Sequence, residues 1–571
     1  MVDTQHRRKR SHPGKGIKKA RLGDRGRQVD ANALAEVRAL LGSGPYQRDL
    51  LIEYLHSIQD THHYISAPHL VALASLLNIP MAEAYEVATF YAHFDVVKEN
   101  QTPPPKLTIR VCDSLSCALK GAEDLQQALA QEFDPSEVRV VRAPCMGRCD
   151  TAPVAEVRHL HVDAASVKTV SDTVKTGSLH PITPEYRDYA AYVADGGYAL
   201  YQSCLAGERE FQSISKTIAE SGLRGLGGAG FPTATKWGFV RNEPGPRLMA
   251  VNADEGEPAT FKDRYYLERD PHRFLEGMLI SAWAVEAEAV YIYLRDEYPA
   301  VRDILSQELI KLEQQAIVKK GFINLRRGAG AYICGEESAM IESLEGKRGY
   351  PRQRPPYVAQ QGLFGRPTLV NNVETLYWIR DIIEKGADWF ASQGMNGSQG
   401  LRSFSVSGRV KNPGVKCVPA GITMNELLEE YCGGMQDGHQ FKAYLPGGAS
   451  GGILPASKAD VPLDFGTLEA HGCFIGSAAI VVLSDRDDMR AVALNLMRFF
   501  EDESCGQCTP CRGGTEKVVR LLESDDWNIE LLNDLSAVMT DASICGLGQA
   551  AANPVQSVLK HFPEDIIAKD V

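Results

Sequence analysis

The sequence predicts a multidomain protein that combines α/β and α+β domains, and three observations support this fold class. The chain has 571 residues, too many for one hydrophobic core, so it should divide into about three to five domains. Helical and strand patterns alternate through its middle part, which is typical of a mostly parallel sheet. Its 13 cysteines are partly clustered, and clustered thiols in a reducing compartment indicate metal or redox chemistry before structural disulfides.

The charge is unevenly distributed along the chain. Residues 1–28 carry ten Lys/Arg against Asp3 and Asp24, so this segment is basic although the whole chain has a net charge of -12. We expect residues 1–45 to form a basic, extended N-terminal segment that lies on an acidic surface or in solvent. The acidic remainder makes nucleic acid an unexpected partner.

The hydropathy pattern contains no run of about 18 apolar residues and no apolar stretch after the N-terminus. Neither a membrane span nor a secretory signal is therefore predicted. The expected location is cytoplasmic.

The first half of the chain predicts a helical region followed by a small α/β domain. Residues 46–100 have apolar residues at helical spacing, which predicts a helical bundle. The stiff linker NQTPPPK follows. In residues 105–180, KLTIRVCDSL reads as a strand, ALKGAEDLQQALAQEF as a helix and VRVVRAPCMGRCD as a second strand. This βαβ order predicts a small α/β domain that presents cysteines at its strand ends.

The second half predicts three further units. Residues 200–400 alternate helices such as FLEGMLISAWAVEA with strands such as LMAVNADE, as in an α/β domain on a mostly parallel sheet. Residues 401–486 are rich in strands and contain one helix, which predicts a small α+β module. Residues 487–571 read as helices around a cysteine loop.

The C-terminal cysteines predict a cluster site. Cys505, Cys508 and Cys511 form a C-x-x-C-x-x-C loop. Three thiolates so close together suit three corners of a cubane, and Cys545 can supply the fourth ligand from a separate loop. A structural zinc site is the alternative, but zinc ligands are more usually paired in two separated knuckles. The pattern favours [4Fe-4S].

The N-terminal cysteines form two pairs. Cys112 and Cys117 are separated by four residues, and Cys145 and Cys149 by three. Two loops with two thiolates each can hold a [2Fe-2S] cluster, one pair on each iron, while zinc is again the alternative. With both sites occupied by iron the chain would be an electron-transfer protein. With zinc in both sites it would be a structural or regulatory scaffold.

A glycine loop in SGLRGLGGAGFPTATKW raises the question of a dinucleotide site. Gly225, Gly227 and Gly230 match G-x-G-x-x-G, but a Rossmann fingerprint must follow a strand and open a helix. The preceding FQSISKTIAESGL has apolar residues at helical spacing, so the Rossmann interpretation fails. The glycines expose backbone N–H groups to a ligand, Lys236 could contact a phosphate, and Phe231 and Trp237 could border an aromatic ring. This combination favours nucleotide binding over a flexible turn.

Several long blocks together resemble one known family. SGLRGLGGAGFPTATKW, VNADEGEPATFKDR, GAGAYICGEESAMIESLEGKRG, PTLVNNVET, ESCGQCTPCRGGT and SICGLG resemble the flavin-bearing NADH-oxidising (51-kDa-type) subunit of respiratory complex I and its soluble relatives. VATFYAHF, the C-x4-C pair and APCMGRCD resemble the separate 24-kDa-type subunit. The resemblance covers about residues 46 to 565, and the chain resembles a fusion of the two subunits.

The resemblance implies both fold details and cofactors. It implies a thioredoxin-like [2Fe-2S] domain at 105–180, an FMN- and NAD-binding domain at 200–400, a β-grasp-like module at 401–486 and a helical [4Fe-4S] domain at 487–571. The implied cofactors are FMN, NAD, a [2Fe-2S] cluster and a [4Fe-4S] cluster. By motif match, the implied flavin-binding residues are Gly225, Gly227, Gly228, Lys236, Asn252, Asp254, Glu255, Tyr332, Gly335, Glu336, Asn371, Asn372 and Thr375.

The same resemblance implies residues for NAD(H). Phe231 and Phe239 would contact the nicotinamide nucleotide, and Glu337 would lie near the nicotinamide as the catalytic candidate. Glu257 would bind ribose hydroxyls, and its carboxylate would repel the 2'-phosphate of NADP, as acidic residues do in dinucleotide folds generally.

The chain departs from the family pattern at three positions. Arg354 and Tyr357 stand in a segment that commonly reads K-P-P-F. Arg354 keeps the charge but offers a planar fork, and Tyr357 adds a hydroxyl to the ring, so both are expected to contact the cofactor with altered geometry. Leu226 replaces a frequent Arg and removes one potential phosphate or carboxylate partner.

The resemblance also implies a choice among partners. Fusion of the two subunits is familiar in NAD-reducing hydrogenases and in NAD-dependent molybdenum or tungsten formate dehydrogenases. Hydrogenase-type fusions can lose ligands of the first cluster, whereas this chain has all four. Bifurcating and NADP-reducing relatives often carry a C-terminal ferredoxin module, and no cysteine follows Cys545.

These features favour the beta (diaphorase) subunit of a formate dehydrogenase. In such an enzyme formate is oxidised to CO2 on a large molybdopterin partner with further iron-sulfur clusters. A hydrogenase diaphorase and a fused complex I module are the alternatives.

Overall fold

The computed structural model describes residues 27–177 and 179–566. Most of the predicted basic segment, residues 1–26, lies outside the described residues, as do Ser178 and residues 567–571. Among the described residues, no single helix has both the length and the apolar character needed to cross a membrane; one bent pair, Ala67–Leu77 with Met81–Phe90, passes that test by length and composition only.

The N-terminal region is a helical bundle that begins earlier than predicted. The expectation of an extended segment over residues 1–45 is wrong for Ala31–Leu41, which is helix α1. The Asp30 side chain accepts a hydrogen bond from the Ala33 backbone N–H and caps this helix. Ala33 and Val37 are buried one helical turn apart, so packing stabilises it. The remaining elements are α2 Leu51–His62, β1 Ile65–Ser66, α3 Ala67–Leu77, α4 Met81–Phe90 and β2 Val96–Val97, with β1 and β2 paired in parallel.

The next domain confirms the predicted βαβ order. Strands β3 and β4 run parallel in a sheet of order β4-β3-β5-β6, while β5 and β6 are antiparallel. Its cysteines follow the carboxyl ends of β3 and β4, which are neighbours and therefore bring the two cysteine loops to the same edge of the sheet. The elements are β3 Leu107–Cys112, α5 Leu115–Ala118, α6 Ala122–Glu132, β4 Val138–Ala143, β5 Ala155–Val157, β6 Leu160–Val162 and α7 Val167–Thr176.

The central domain is built on a four-stranded sheet whose pairs are all parallel, where the sequence predicted a mostly parallel sheet. Its strand order is β10-β7-β8-β9. The elements are α8 Tyr189–Ala194, α9 Ala199–Leu205, α10 Phe211–Glu220, α11 Thr233–Asn242, β7 Arg247–Ala253, α12 Lys262–Leu267, α13 Pro271–Ala284, β8 Ala287–Leu294, α14 Pro299–Gln314, β9 Ile323–Arg327, α15 Glu337–Leu344, β10 Thr368–Asn372, α16 Val373–Lys385 and α17 Ala387–Ala391.

Both faces of this sheet are buried, which explains why its strands read as continuous apolar runs. In β7, Leu248 and Ala250 belong to a core shared with the N-terminal helices and the C-terminal domain. Met249 and Val251 point to the opposite core, which is formed with α13 and α16. The central sheet therefore joins domains that lie far apart in sequence.

The last two units also match the prediction. The module has a mixed sheet of order β12-β11-β15-β13-β14. Its elements are β11 Leu401–Gly408, β12 Gly414–Pro419, α18 Met424–Glu426 with a continuing π turn Leu427–Tyr431, β13 Phe441–Leu445, β14 Leu454–Pro455 and β15 Ala479–Ser484. The C-terminal domain contains α19 Met489–Asp502, α20 Thr509–Leu522, α21 Ile529–Ala542, α22 Gly546–Ala550, α23 Asn553–His561 and α24 Pro563–Ile566.

Gly277 provides a test of this packing, because it lets α13 and α16 approach closely. A Cβ at Gly277 would lie 1.9 Å from the Leu376 backbone oxygen. We expect Gly277→Ala to destabilise the central domain by about 1–3 kcal/mol, as overpacked cores do. Thermal unfolding followed by circular dichroism measures this.

Gly238→Ala is the matched control, because Gly238 is also helical and no heavy atom beyond its own helix backbone and chain neighbours lies within 4 Å of its added Cβ. It should be neutral or stabilise by up to about 1 kcal/mol, since alanine favours helix. Wild-type stability of Gly277→Ala would contradict the close contact.

Candidate functional site

The glycine loop lies between two helices, which confirms that it is not a Rossmann turn. It follows α10 and precedes α11. The Gly225 N–H donates to the Phe231 carbonyl at 2.8 Å, and the Gly230 N–H donates to the Gly225 carbonyl at 3.2 Å, so the loop is closed on itself. The Leu226 N–H donates to Thr375 Oγ1 on α16 at 2.9 Å. Thr375 therefore anchors the loop.

Beside this loop lies a cavity of about 620 Å³, a volume typical of sites for small molecules and cofactors. The glycine loop and the ends of β7 and β10 form one wall, and the module and the C-terminal domain form the other. Of the predicted flavin residues, those that line the cavity are Gly227, Gly228, Asn252, Asp254, Glu255, Tyr332, Gly335, Glu336 and Asn372, and Glu257 joins them.

Gly227 and Gly228 leave room that a side chain would fill. A Cβ at Gly227 would approach Asn372 Cβ to 2.9 Å. Gly228 has a φ of +132°, which side chains rarely adopt. A flat ligand can therefore approach the loop backbone closely.

Two buried polar atoms at the carboxyl end of the sheet have no hydrogen-bond partner in the part of the chain that the structure describes. They are Asp254 Oδ2 and Asn371 Oδ1. Burial raises the pKa of Asp254 well above its ordinary value. Because buried polar atoms are nearly always satisfied, Asp254 Oδ2, which belongs to a residue of the cavity wall, fits a site completed by a polar ligand.

Asn252 holds two parts of the cavity wall together. Its Nδ2 donates to the Gly335 carbonyl at 2.8 Å, and its Oδ1 accepts from the Asp254 N–H at 3.0 Å. The loop that follows β7 and the loop that precedes α15 are thereby fixed to each other.

Glu257 is held in place by three donors. Tyr332 Oη–H donates to its carboxylate, and Ser450 donates through both its N–H, at 2.8 Å, and its Oγ–H, at 2.7 Å. Burial raises the pKa of Glu257 from its ordinary value, although these hydrogen bonds oppose the shift. The carboxylate has a defined orientation in the cavity wall.

Glu255 lines the cavity, but its carboxylate contacts protein groups. It accepts hydrogen bonds from the Asp263 and Arg264 N–H groups at the start of α12, at 2.9 and 3.2 Å, and from Tyr298 Oη–H at 2.9 Å. Burial raises the pKa of Glu255 to about 7. Through these contacts Glu255 stabilises the wall of the cavity.

A chain of ion pairs lies beside the cavity, which it joins through Glu336. Lys236 Nζ lies 3.2 Å from Glu337, and Arg354 contacts Glu336 and lies 3.5 Å from Glu337. The Glu336 carboxylate also caps α15. The structure thus brings both glutamates of the GEES segment next to the two predicted cationic residues.

The predicted aromatic contacts lie on the surface. The Phe231 and Phe239 rings are 6.1 Å apart, and both are exposed, as is Tyr357. Like Lys236 and Glu337, these three residues are not among those that line the cavity. Leu226, which stands where the family often has Arg, is buried in the core beside α16.

The structure brings the four N-terminal thiols together. Cys112, Cys117, Cys145 and Cys149 are all buried, and Cys145 Sγ lies 3.3 Å from Cys149 Sγ. Hydrogen bonding to Cys117 and Cys145 raises the pKa of the Cys112 thiol, whereas hydrogen bonds from Cys112 and Cys149 hold the pKa of Cys145 well below its usual range. Four converging thiols with no disulfide fit a cluster site.

The four C-terminal cysteines also converge. Cys505, Cys508 and Cys511 lie in the loop before α20 and in its first turn, and Cys545 immediately precedes α22. Burial raises the pKa of Cys511 to about 11 and of Cys545 to about 12. Gly548 permits the approach of α22, because a Cβ there would lie 2.8 Å from Cys511 Cβ.

The C-terminal cysteine site borders the cavity. Gly546 and Leu547, which follow Cys545, line the cavity together with Gln549 and Asn553. A second cavity of about 640 Å³ is lined by both Cys112 and Cys505. The candidate flavin cavity and both thiol sites therefore lie in one continuous region of the molecule.

Sequence reasoning missed several groups in this region. Ser450, Phe474 and Ser477 come from the module and form the far wall of the cavity. Lys262 was part of the VNADEGEPATFKDR block, yet its role was not foreseen. It is fully buried, lies 2.9 Å from Asp263 and 3.1 Å from Glu374, and its pKa is raised by these carboxylates against the effect of burial.

Comparison with protein families assigns three regions of the chain. Residues 218–381 match the Nuo51 FMN-binding domain, residues 37–177 the thioredoxin-like [2Fe-2S] ferredoxin, and residues 491–569 the NADH-ubiquinone oxidoreductase-F iron-sulfur binding region. These matches coincide with the cavity and the two thiol sites.

Individual relatives agree with this assignment. The chain is 42% identical over 400 residues to an F-type subunit of the NADH-quinone oxidoreductase of Rhizobium meliloti. The aligned region covers 67% of this chain and 95% of the relative. It is 41% identical over 373 residues to the mitochondrial NADH dehydrogenase [ubiquinone] flavoprotein 1 of Dictyostelium discoideum, covering 62% and 78% of the two chains. A chain in the crystal structure of an air-oxidised NAD+-reducing [NiFe]-hydrogenase superposes with a TM-score of 0.80 at 31% identity, covering 92% of this chain and 94% of that one.

The chain therefore has an FMN-binding domain, a [2Fe-2S] domain and a [4Fe-4S] domain, and NADH is its substrate. The residues present fit these groups. The glycine backbone and the Asp254 oxygen that has no partner among the described residues suit a flat polar cofactor, and eight converging thiols suit two clusters. The interpretation with zinc in both sites, as a scaffold, is not supported.

The cluster ligands give a direct test. Cys545→Ala should lose the four-iron cluster and reduce the iron content from about six to about two per chain, because the fourth iron would have no protein ligand. Iron and acid-labile sulfide analysis with electron paramagnetic resonance (EPR) measures this.

Cys204→Ser is the control, because Cys204 is a buried cysteine outside both sites. It should retain about six irons. Full iron content in Cys545→Ala would contradict the assignment of Cys545 as a required ligand.

Proposed function

Since the chain belongs to the family of NADH-quinone oxidoreductase F-type subunits, we propose that it is the diaphorase subunit of an NAD-dependent formate dehydrogenase. In this role it passes electrons between iron-sulfur clusters and NAD. The observation that carries the diaphorase role is the cavity whose walls include both the glycine loop of the FMN-binding domain and the helix that begins after Cys545.

The bound flavin supplies the conversion between a two-electron hydride and single electrons. We propose that the protein holds it with the backbone of Gly227 and Gly228 and with Asn252, Asp254 and Asn372. Asp254 is supported in this role because it lines the cavity and its Oδ2 has no hydrogen-bond partner among the described residues. Lys236 and Arg354 supply positive charge beside the cavity, where they pair with Glu337 and with the cavity residue Glu336.

NAD(H) is proposed to lie on the outer side of the same cavity. The exposed rings of Phe231 and Phe239 offer apolar surfaces for a nucleotide, and their mutual distance of 6.1 Å supports one common contact area. Glu337, the catalytic candidate, is held by Lys236 at 3.2 Å and is thereby positioned to orient the nicotinamide without taking part in proton transfer. An acid-base pair of side chains is not required, because the bound cofactors would supply the hydride chemistry.

Glu257 is the proposed determinant of NAD over NADP. Its carboxylate cannot turn away easily, because Tyr332 and Ser450 hold both of its oxygens. A 2'-phosphate beside this carboxylate would suffer charge repulsion in a partly dry site.

Replacing this charge should therefore relax the specificity. We expect Glu257→Gln to raise the ratio of kcat/KM for NADPH to that for NADH by at least about tenfold, which corresponds to about 1.4 kcal/mol. Steady-state assays with an artificial electron acceptor measure both nucleotides.

Ser450→Ala is the matched control, because it removes a hydrogen bond and keeps the charge. It should change the ratio much less than Glu257→Gln does. An unchanged ratio in Glu257→Gln would refute the proposed role of Glu257.

The choice of formate as the ultimate donor is supported by the complete set of four buried thiols in the [2Fe-2S] domain, since hydrogenase-type fusions can lose ligands there. On this proposal, formate is oxidised to CO2 on a molybdenum or tungsten partner subunit, and its electrons reach NAD+ through this chain. The second candidate is a hydrogenase diaphorase, which is favoured by the superposition with a chain of NAD+-reducing [NiFe]-hydrogenase over 92% of this chain.

Purification of the native complex through a tag on this chain distinguishes the two partners. We expect molybdenum or tungsten without nickel, together with NAD+ reduction that depends on formate. Metal analysis and NAD+ reduction assays with formate and with hydrogen provide the measurement. Nickel with hydrogen-dependent NAD+ reduction would overturn the formate proposal and leave the diaphorase role intact.

A further inference from the structure

Two buried arginines join the [2Fe-2S] domain to the wall of the flavin cavity. Arg295 follows β8, and Arg264 lies on α12. Both side chains reach from the central domain into the loop that contains Cys145 and Cys149. Arg264 Nε–H donates to the Gly147 carbonyl at 2.8 Å, and its other nitrogens lie 2.9 Å from Glu268 and 3.1 Å from Asp150.

Arg295 makes the more direct connection. One terminal nitrogen donates to the backbone carbonyl of Cys145 at 2.5 Å, and the other donates to the backbone carbonyl of Glu255. Cys145 belongs to the two-iron site, and Glu255 lines the flavin cavity. A single guanidinium thus contacts the main chain of both redox sites.

The surroundings fix this side chain in one position. Arg295 is only 4% exposed. Its Nε–H donates to Glu297 at 3.1 Å, and its guanidinium lies 5.0 Å from the centre of the Tyr298 ring. Tyr298 in turn donates to the Glu255 carboxylate. The planar fork of arginine holds its donors in fixed directions, which suits three acceptors arranged around one side chain.

The charge of Arg295 acts in a region from which water is excluded. Cys145 and Cys149 are almost completely buried beside it. A [2Fe-2S] cluster held by these thiols would gain one negative charge on one-electron reduction. A buried cation stabilises the more negative, reduced state, because electrostatic interactions are stronger away from water.

Other charged groups near this site also affect the reduction potential of the cluster. Arg264 adds a second cation, but Glu268 and Asp150 pair with it. Glu297 is the counter-charge of Arg295, and its side chain is 18% exposed. Glu297 therefore weakens the influence of Arg295 without cancelling it, since water screens the carboxylate more than the guanidinium.

We propose that Arg295 is a positioning residue that fixes the Cys145 loop against the flavin cavity and raises the reduction potential of the [2Fe-2S] cluster. Glu297 opposes this effect. The inference rests on the cofactor content of the chain and is independent of which partner supplies the electrons.

The proposal predicts opposite shifts for neighbouring charges. Arg295→Gln should lower the potential enough to change the oxidised-to-reduced ratio at fixed ambient potential by at least about tenfold, which is 59 mV for one electron. Glu297→Gln should raise the potential. Arg295→Lys keeps the charge and should remain within about threefold of the wild-type ratio. A redox titration of the full chain, followed by the EPR signal of the reduced two-iron cluster, measures all three.

Arg402→Gln is the matched control, because Arg402 is equally buried but pairs with Asp464 in the module. Its two-iron potential should equal that of the wild type. A purely structural role would give similar shifts for Arg295→Lys and Arg295→Gln, and that result would overturn the electrostatic part of the proposal.

If Arg295→Gln fails to retain the cluster, the reduction potential of Glu297→Gln tests the electrostatic effect instead. A potential that is unchanged or lowered in Glu297→Gln would overturn the proposal. This proposal is tested by the reduction potential of the cluster. The formate assignment is tested by the metal content and substrate of the native complex, so the two can fail separately.

Discussion

The arrangement of the redox sites depends on buried guanidinium groups that bind main-chain carbonyls across a domain boundary. Arg264 and Arg295 satisfy the carbonyls of Gly147 and Cys145, which would otherwise be buried without a partner. Leaving such groups unpaired costs about 1–3 kcal/mol each. The cysteine loop is therefore held in register with the loop that follows β7, and that loop carries Asp254, Glu255 and Glu257 into the cavity.

The remaining contacts extend this constraint in both directions. The backbone N–H groups of Ala92 and His93 donate to Gly330 and Ala329, so the N-terminal bundle supports the loop that leads to Tyr332. The Tyr332 N–H donates to Glu503, two residues before the first thiol of the C-terminal site. Because one hydrophobic core runs from Ala33 to Phe562, the domains form one continuous body around the cavity.

Local patterns in the sequence were sufficient to predict most of the fold. The two buried faces of β7 produce a continuous apolar run, and the helix before Gly225 excludes a Rossmann turn, so both features could be interpreted without coordinates. The cysteine spacing likewise indicated both cluster sites. Helix α1 was missed because its short apolar pattern depends on packing against α3 for its stability.

The features that could not be predicted all depend on contacts between distant segments. Ser450 meets Glu257 across 193 residues, and Arg295 meets Cys145 across 150. In the sequence, Leu226 indicated that the cofactor loses a polar partner, whereas in the structure its side chain is packed in the core. Glu255 matches a cofactor motif, yet its carboxylate is occupied by α12 and Tyr298.

Electrons from NADH should reach the iron of this chain only through the flavin cavity. Protein stripped of FMN and protein reconstituted with FMN should be treated with NADH without oxygen, and reduced iron should be measured by EPR. The account predicts that NADH reduces iron only in the reconstituted protein, while dithionite reduces iron in both. Reduction of iron by NADH in the stripped protein would contradict it.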